Sequence, residues 1–402
     1  MQVTIYPSKA FGNVQAPPSK SVAHRALICG ALTDGCTIHN CGSSQDIEAT
    51  LRCLQTMGTN IERNKTSISL GGLDPFSVPD NAVLDCGESG STLRFLLPLC
   101  LLSGQRITLT GKGRLMERPL GIYQKLCSDN GFLFEQNGNT LTVCGALQSG
   151  NYAVPGNVSS QFITGLLFAL SQLPGENKVE VTGTFESASY VDITLSVLSA
   201  FGTDITREKN TYIVAGNPPF INGDYTVEGD CSNAAFLDAF NLLGGGVKVL
   251  GLSPKTPQGD WVYKRMYAEL MTGETVFDLS DCPDLGPVMF AMAAALGGAT
   301  FTGTARLRIK ESDRCAAMAE ELAKFGIATE ISENSVRVFS GKLSSPTETL
   351  CGHNDHRIVM ALSLLCSLTG GVIDGAEAVA KSYPNYFEVI ESLGIEMKTD
   401  DI

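Results

Sequence analysis

The chain has 402 residues and a formal net charge of −13 at pH 7, which excludes a single ordinary core and disfavours nucleic acid or anionic lipid as general partners. Hydrophobic residues make up 43% and charged residues 18%, so the chain is globular rather than disordered. No apolar run reaches the roughly 18 residues of a membrane span. Met1 to Val14 lacks the basic and then apolar stretches of a secretory leader. The thirteen cysteines include no C-x-x-C spacing and read as reduced, small core residues of a cytoplasmic protein.

In chain order, a strand is expected at Gln2 to Ile5, and a pattern then recurs six times. Each copy has a polar opening, an apolar helix, a Gly-containing turn, a strand, a loop and a second helix. The openings are Ser21 to Arg25, Glu88 to Ser91, Ser159 to Gln161, Cys231 to Asn233, Cys282 to Asp284 and Asn354 to Arg357. The matching turns end at Gly35, Gly104, Gly175, Gly245, Gly298 and Gly370. First helices are expected over Phe162 to Leu170, Val288 to Leu296 and Ile358 to Leu368. Second helices are expected over Asp46 to Met57, Pro119 to Asn130 and Asp313 to Phe325. Strands are expected at Ile107 to Gly111, Val179 to Gly183 and Gly326 to Thr329.

Alternation of this kind is α/β patterning. Six copies imply two domains of three, with the chain crossing back near Val227 to Asp230. The expected division is 1–18 plus 229–402 against 19–228, with the first strand pairing into the C-terminal half.

The first helices are apolar on most sides and therefore buried. Their starts carry free N–H groups and about half a positive charge, which favours anions. Lys20, Ser21 and Arg25 stand at one such start; a phosphate or carboxylate site and a solvated basic turn are both open there. The loop Lys112 to Pro119 is basic, with glycines at 111 and 113 and a proline suited to a first helical turn. It reads either as a loop that closes over an anion or as ordinary surface. Ser159, Ser160 and Gln161 exceed what one helix cap needs, and Ser187 follows in a later loop. Asp284 serves either as a cap or as a functional carboxylate. The run Arg306 to Arg314 alternates in sign, which is usual for a solvated face, yet it occupies the place that Lys112 to Arg118 holds in the second copy. His353 and His356 lack clear additional metal ligands in the sequence, so no metal is expected.

Lys20-Ser21 with Arg25, Glu117-Arg118-Pro119, Ser159-Ser160-Gln161, Pro283-Asp284, Lys310-Glu311-Ser312-Asp313-Arg314, Asp355-His356-Arg357 and Lys381 fall in one order along nearly the whole chain. In this the sequence resembles the 3-phosphoshikimate 1-carboxyvinyltransferase (EPSP synthase) family of enolpyruvyl transferases. The resemblance implies an α/β fold of two inside-out α/β barrel domains, each of three repeated units. It also implies transfer of the enolpyruvyl group of phosphoenolpyruvate to the 5-hydroxyl of shikimate 3-phosphate, with release of phosphate. The reaction belongs to the shikimate pathway of aromatic amino acid biosynthesis and proceeds by addition and elimination. No cofactor and no metal is implied, and the expected enzyme is a cytoplasmic monomer.

By motif, the resemblance gives phosphoenolpyruvate to Lys20, Gly90, Arg118, Gln161, Arg314, Arg357 and Lys381. It gives shikimate 3-phosphate to Lys20, Ser21, Arg25, Ser159, Ser160, Gln161, Ser187, Asp284 and Lys310. Asp284 is the implied base, and Glu311 and Lys20 are candidates for proton transfer at the methylene carbon. Domain closure would bring the two sets together. Glu88, Ser89, Phe95 and Arg306 depart from the commonest family pattern, which bears on pocket shape and on sensitivity to the herbicide glyphosate. Two alternatives stand beside this reading. A UDP-N-acetylglucosamine enolpyruvyl transferase typically carries a cysteine in the mobile loop, and Gly111 to Pro119 has none. A non-catalytic anion-binding repeat protein would be expected to have lost Asp284, Glu311 or Lys20.

Overall fold

The computed structural model describes residues 1–400 except 65, 217 and 274. The chain divides into two compact units. A central unit spans Pro18–Glu228, and a split unit combines Met1–Pro17 with Gly229–Ile402.

The central unit holds helices α1 (Lys20–Ala31), α2 (Gln45–Met57), α3 (Gly90–Cys100), α4 (Gly121–Asp129), α5 (Ser160–Leu170) and α6 (Ala188–Ala200). The split unit holds α7 (Cys231–Leu242), α8 (Tyr263–Met271), α9 (Gly286–Leu296), α10 (Arg314–Lys324), α11 (His356–Thr369) and α12 (Tyr386–Ser392). The odd-numbered helices open the repeats and are buried nearly throughout. The sequence Gly-Pro-Val-Met-Phe-Ala-Met-Ala-Ala-Ala-Leu of α9 has no polar face, so it can exist only inside the unit. Within the split unit α7, α9 and α11 all touch one another.

Among the described residues, five four-stranded sheets share one order: a parallel pair at one edge, then two antiparallel pairings, the outer one a hairpin in four of the five. In one of them Val83–Asp85 runs parallel to Ile107–Thr110, which pairs antiparallel with Thr140–Cys144, itself paired with Leu133–Asn137. Side chains alternate in these strands, so one face of each sheet packs on the helices. The strand Gln2–Ile5 pairs antiparallel with Gly371–Asp374 and with Met397–Asp400, completing the last repeat from the other end of the chain.

One repeat differs from the rest, and two local expectations change. Among the described residues the fourth repeat has only a two-stranded parallel sheet, Phe11–Gln15 with Gly246–Leu250. Its second helix ends at Met271 and the chain reaches the next sheet at Val276, which leaves no length for a hairpin. The helix expected from Pro119 begins instead at Gly121. Arg118 precedes proline and is extended, at φ −67 and ψ 145, because the proline ring disfavours the helical conformation before it. The strand expected at Gly326 to Thr329 begins at Thr329, since Gly326 (φ 82) ends the preceding turn. All thirteen cysteines are free thiols, and eleven are buried.

Candidate active site

Helix caps prepare the site. Ser19, Ser89 and Ser159 cap α1, α3 and α5, each accepting a backbone N–H through its hydroxyl oxygen. Asp230 and Asp355 cap α7 and α11 in the same way through a carboxylate. The start of α9 has no side-chain cap. Asp284 instead sits in the short 3-10 turn Pro283–Leu285 just before it, so the capping alternative for Asp284 does not hold.

In the split unit Asp284 is the hub. Its Oδ1 accepts from Arg314 NH1 at 2.9 Å and from Lys310 Nζ at 3.3 Å, and its Oδ2 accepts from Arg357 NH2 at 3.0 Å. Burial alone would raise its pKa, but Arg357, Lys310 and Arg314 outweigh burial and hold the carboxyl well below the ordinary aspartate range. Arg314 also donates to Glu311 at 2.9 Å and to Asp355 at 2.9 Å. These three carboxylates overcome the cost of burying Arg314 and raise its pKa. Burial pulls Lys310 down to about 8 despite the attraction of Asp284. Arg357 donates to Ser232 Oγ at 2.9 Å, and Lys381 Nζ donates to the carbonyl of Asn354 at 2.7 Å. The backbone there is left-handed at His353 and Asn354 (φ 48 and 52), which turns the chain into the Asp355 cap.

In the central unit Lys20 Nζ donates to Asp46 Oδ2 at 2.8 Å. Arg25 is 2% exposed and donates to Thr194 Oγ1 at 2.7 Å, to the Ser21 carbonyl at 2.6 Å and to the Tyr190 carbonyl at 2.9 Å. Much of its donor set is therefore engaged in holding α1 to α6. Gly90 opens α3, and a Cβ there would meet Arg118 NH1 at 2.6 Å, so only glycine leaves that guanidinium its place. Gln161 donates to Ser91 Oγ at 3.0 Å and accepts from Arg94 at 2.7 Å. Ser160 is buried beside it. Ser187 is buried in the left-handed conformation (φ 55) immediately before α6, a strained backbone for serine.

The fold thus gathers Asp284, Lys310, Glu311, Arg314 and Arg357 in one unit. It gathers Gly90, Arg118, Gln161 and Ser91 in the other. Sequence reasoning missed Asp46 and Arg94. Asp46 lies 26 residues from its partner Lys20, beyond the reach of any local pattern. Arg94 did carry a signal: it is the one charged residue in the apolar run of α3, and a buried cation there needs partners. It finds the Gln161 amide, the Pro119 carbonyl at 3.1 Å and the face of Phe162 at 5.1 Å.

His353 gains carboxylate neighbours that the sequence did not reveal. Glu320, Glu321 and His353 bring ligand-type atoms within 4.8 Å of one another. Buried Glu321 already carries a cation, however: Lys324 Nζ lies 2.9 and 3.0 Å from its two oxygens.

Residues 6–390 match the model of the family described as EPSP synthase (3-phosphoshikimate 1-carboxyvinyltransferase). The chain belongs to the EPSP synthase family. A 3-phosphoshikimate 1-carboxyvinyltransferase of Clostridium kluyveri is 42% identical, with 98% of each chain covered. That of Clostridioides difficile is 36% identical, with 97% of each covered. An EPSP synthase structure from Acinetobacter baumannii superposes with a TM-score of 0.77 at 25% identity, covering 99% of this chain and 100% of that one. The enolpyruvyl transferase NikO of Streptomyces tendae shares the fold, at a TM-score of 0.74 and 14% identity, with 99% of this chain and 98% of that one covered.

Proposed function

We propose that this chain transfers the enolpyruvyl group of phosphoenolpyruvate to the 5-hydroxyl of shikimate 3-phosphate and releases phosphate. The observation that carries the proposal is the Asp284 carboxylate held by three cations, Lys310, Arg314 and Arg357. Lys20, Gly90, Arg118, Gln161, Arg314, Arg357 and Lys381 are assigned to phosphoenolpyruvate. Lys20, Ser21, Arg25, Ser159, Ser160, Gln161, Ser187, Asp284 and Lys310 are assigned to shikimate 3-phosphate. The free cysteines fit a reducing, cytoplasmic setting.

Clamped by three cations, Asp284 is a weak base. Phosphoenolpyruvate brings a carboxylate and a phosphate that compete for Arg314 and Arg357. As those cations turn to the substrate, Asp284 loses stabilisation of its charged form and its pKa rises. The carboxylate then accepts the 5-hydroxyl proton while that oxygen attacks C2 of the enol. A proton reaches C3 from Glu311 or Lys20, giving a tetrahedral ketal. Loss of a C3 proton and of phosphate regenerates the enolpyruvyl group on its new oxygen. The two substrates together carry two phosphates and two carboxylates, and each charge-assisted hydrogen bond to them contributes about 1.5–3 kcal/mol.

The test is phosphate release from phosphoenolpyruvate with either shikimate 3-phosphate or UDP-N-acetylglucosamine as acceptor. Release with shikimate 3-phosphate alone is expected. Release only with the sugar nucleotide would overturn the assignment.

A further inference from the structure

Two adjacent residues of α1, His24 and Arg25, each dock on a buried pair of threonines from other helices. Arg25 binds Thr194 Oγ1 at 2.7 Å, and Thr194 bonds Thr164 Oγ1 at 2.7 Å, joining α1 to α5 and α6. His24 Nδ1 lies 2.7 Å from Thr50 Oγ1, which lies 2.7 Å from Thr92 Oγ1. Thr92 in turn donates its hydroxyl proton to Ser89 Oγ at 2.7 Å. His24, Thr50, Thr92 and Ser89 are each no more than 1% exposed, so no solvent competes for these bonds.

The direction of the chain follows from proton counting. A hydroxyl has one proton to give. Thr92 spends its proton on Ser89, so Thr50 donates to Thr92. Thr50 has then spent its own, so His24 donates to Thr50 through Nδ1–H. The imidazole is neutral, because burial and then the charges of Lys20 and Arg25 push its pKa well below the ordinary value. Its Nε2 makes no hydrogen bond, and the ring meets the Phe95 ring at 6.4 Å and 86°. An unprotonated nitrogen costs less in that apolar place than an orphaned N–H donor. Four hydrogen-bonding groups thus point one way from α1, through α2, to the cap of α3, each bond polarising the next.

We infer that His24 is a positioning residue for phosphoenolpyruvate: its Nδ1–H, passed through Thr50 and Thr92 to Ser89, sets the start of α3 against α1. The inference rests on the assignment of Lys20, Gly90 and Arg118 to phosphoenolpyruvate. Lys20 stands four residues before His24, and Gly90 follows Ser89 directly. The Arg25 branch instead secures α5 and α6, whose starts carry Ser159, Ser160, Gln161 and Ser187. The His24 branch therefore bears mainly on residues assigned to phosphoenolpyruvate and the Arg25 branch mainly on those assigned to shikimate 3-phosphate, with Lys20 and Gln161 shared.

The test compares His24→Leu with His24→Asn, whose amide N–H can occupy the place of Nδ1–H. For His24→Leu the KM for phosphoenolpyruvate is expected to rise at least tenfold, with the KM for shikimate 3-phosphate changing less than threefold. His24→Asn is expected to recover most of the loss. Unchanged KM values, or both moving together without recovery by asparagine, would overturn the inference. On wild-type protein, nitrogen-15 NMR of the imidazole is expected to show the Nδ1–H tautomer. An Nε2–H tautomer would overturn it even where the variants fail to fold. Absence of wild-type turnover would sink the assigned reaction, while the tautomer still reports on the chain of bonds.

Discussion

Arg25 and Arg314 are both almost fully buried, at 2% and 1% exposure, yet they are held in opposite ways. Arg314 faces Asp284, Glu311 and Asp355, and these raise its pKa. Arg25 rests on hydroxyls and carbonyls, and burial pulls its pKa down to about 9. The helix caps repeat the contrast. The central unit caps α1, α3 and α5 with serine, whereas the split unit caps α7 and α11 with aspartate. A serine leaves the positive field of a helix start intact, and an aspartate cancels it. The two units thus favour anions differently. The split unit holds its cations already balanced, and substrate anions must compete for them. The central unit offers helix starts that no charged cap has neutralised.

This contrast can be broken at the arginines. Arg314→Leu leaves three carboxylates without their shared cation, and about 3–5 kcal/mol of stability is expected to be lost. Arg25→Leu leaves neutral acceptors unpaired, with an expected loss of about 1–3 kcal/mol. Urea unfolding of both variants measures the difference, and equal losses would erase the distinction. The caps give a sharper probe. Ser89→Asp copies the split unit's device into the central one. It should raise the KM for phosphoenolpyruvate on the order of tenfold in protein that is still folded, because aspartate caps as serine does but cancels the field of the helix start.

The smallest expected effect is a pH dependence. Burial lowers Lys310 to about 8, so its ammonium is present below that pH and lost above it. The KM for shikimate 3-phosphate should therefore climb severalfold from pH 7 to 9. In Lys310→Arg, whose guanidinium stays charged, the climb should be smaller, leaving only what Arg25 contributes near pH 9. A wild-type KM constant over that range would show that the charge of Lys310 does not contribute.

Much of this was legible in the sequence because the repeat advertises helix starts through Ser and Asp, and the apolar runs behind them can only be buried. The ordered motifs placed Asp284, Lys310, Arg314 and Arg357 in the C-terminal half of the chain. Their mutual geometry was not legible, since Asp284 meets Arg357 across 73 residues of chain. Nor was the unequal fourth repeat, because its opening and turn look like the others and only the short passage from Met271 to Val276 reveals the missing hairpin. His24 and Thr50 read as ordinary helix residues. Their role appears only when three helices bring four hydroxyl and imidazole groups into contact.

Asp284 carries the central claim, because its carboxylate is both the hub of the balanced cations and the assigned base. The direct measurement is phosphate release by Asp284→Ala, set beside the variant's binding of shikimate 3-phosphate in a calorimeter. The account predicts turnover reduced by about 10²–10⁴-fold or more, with shikimate 3-phosphate still bound. Near-normal phosphate release from a variant that binds shikimate 3-phosphate would contradict it.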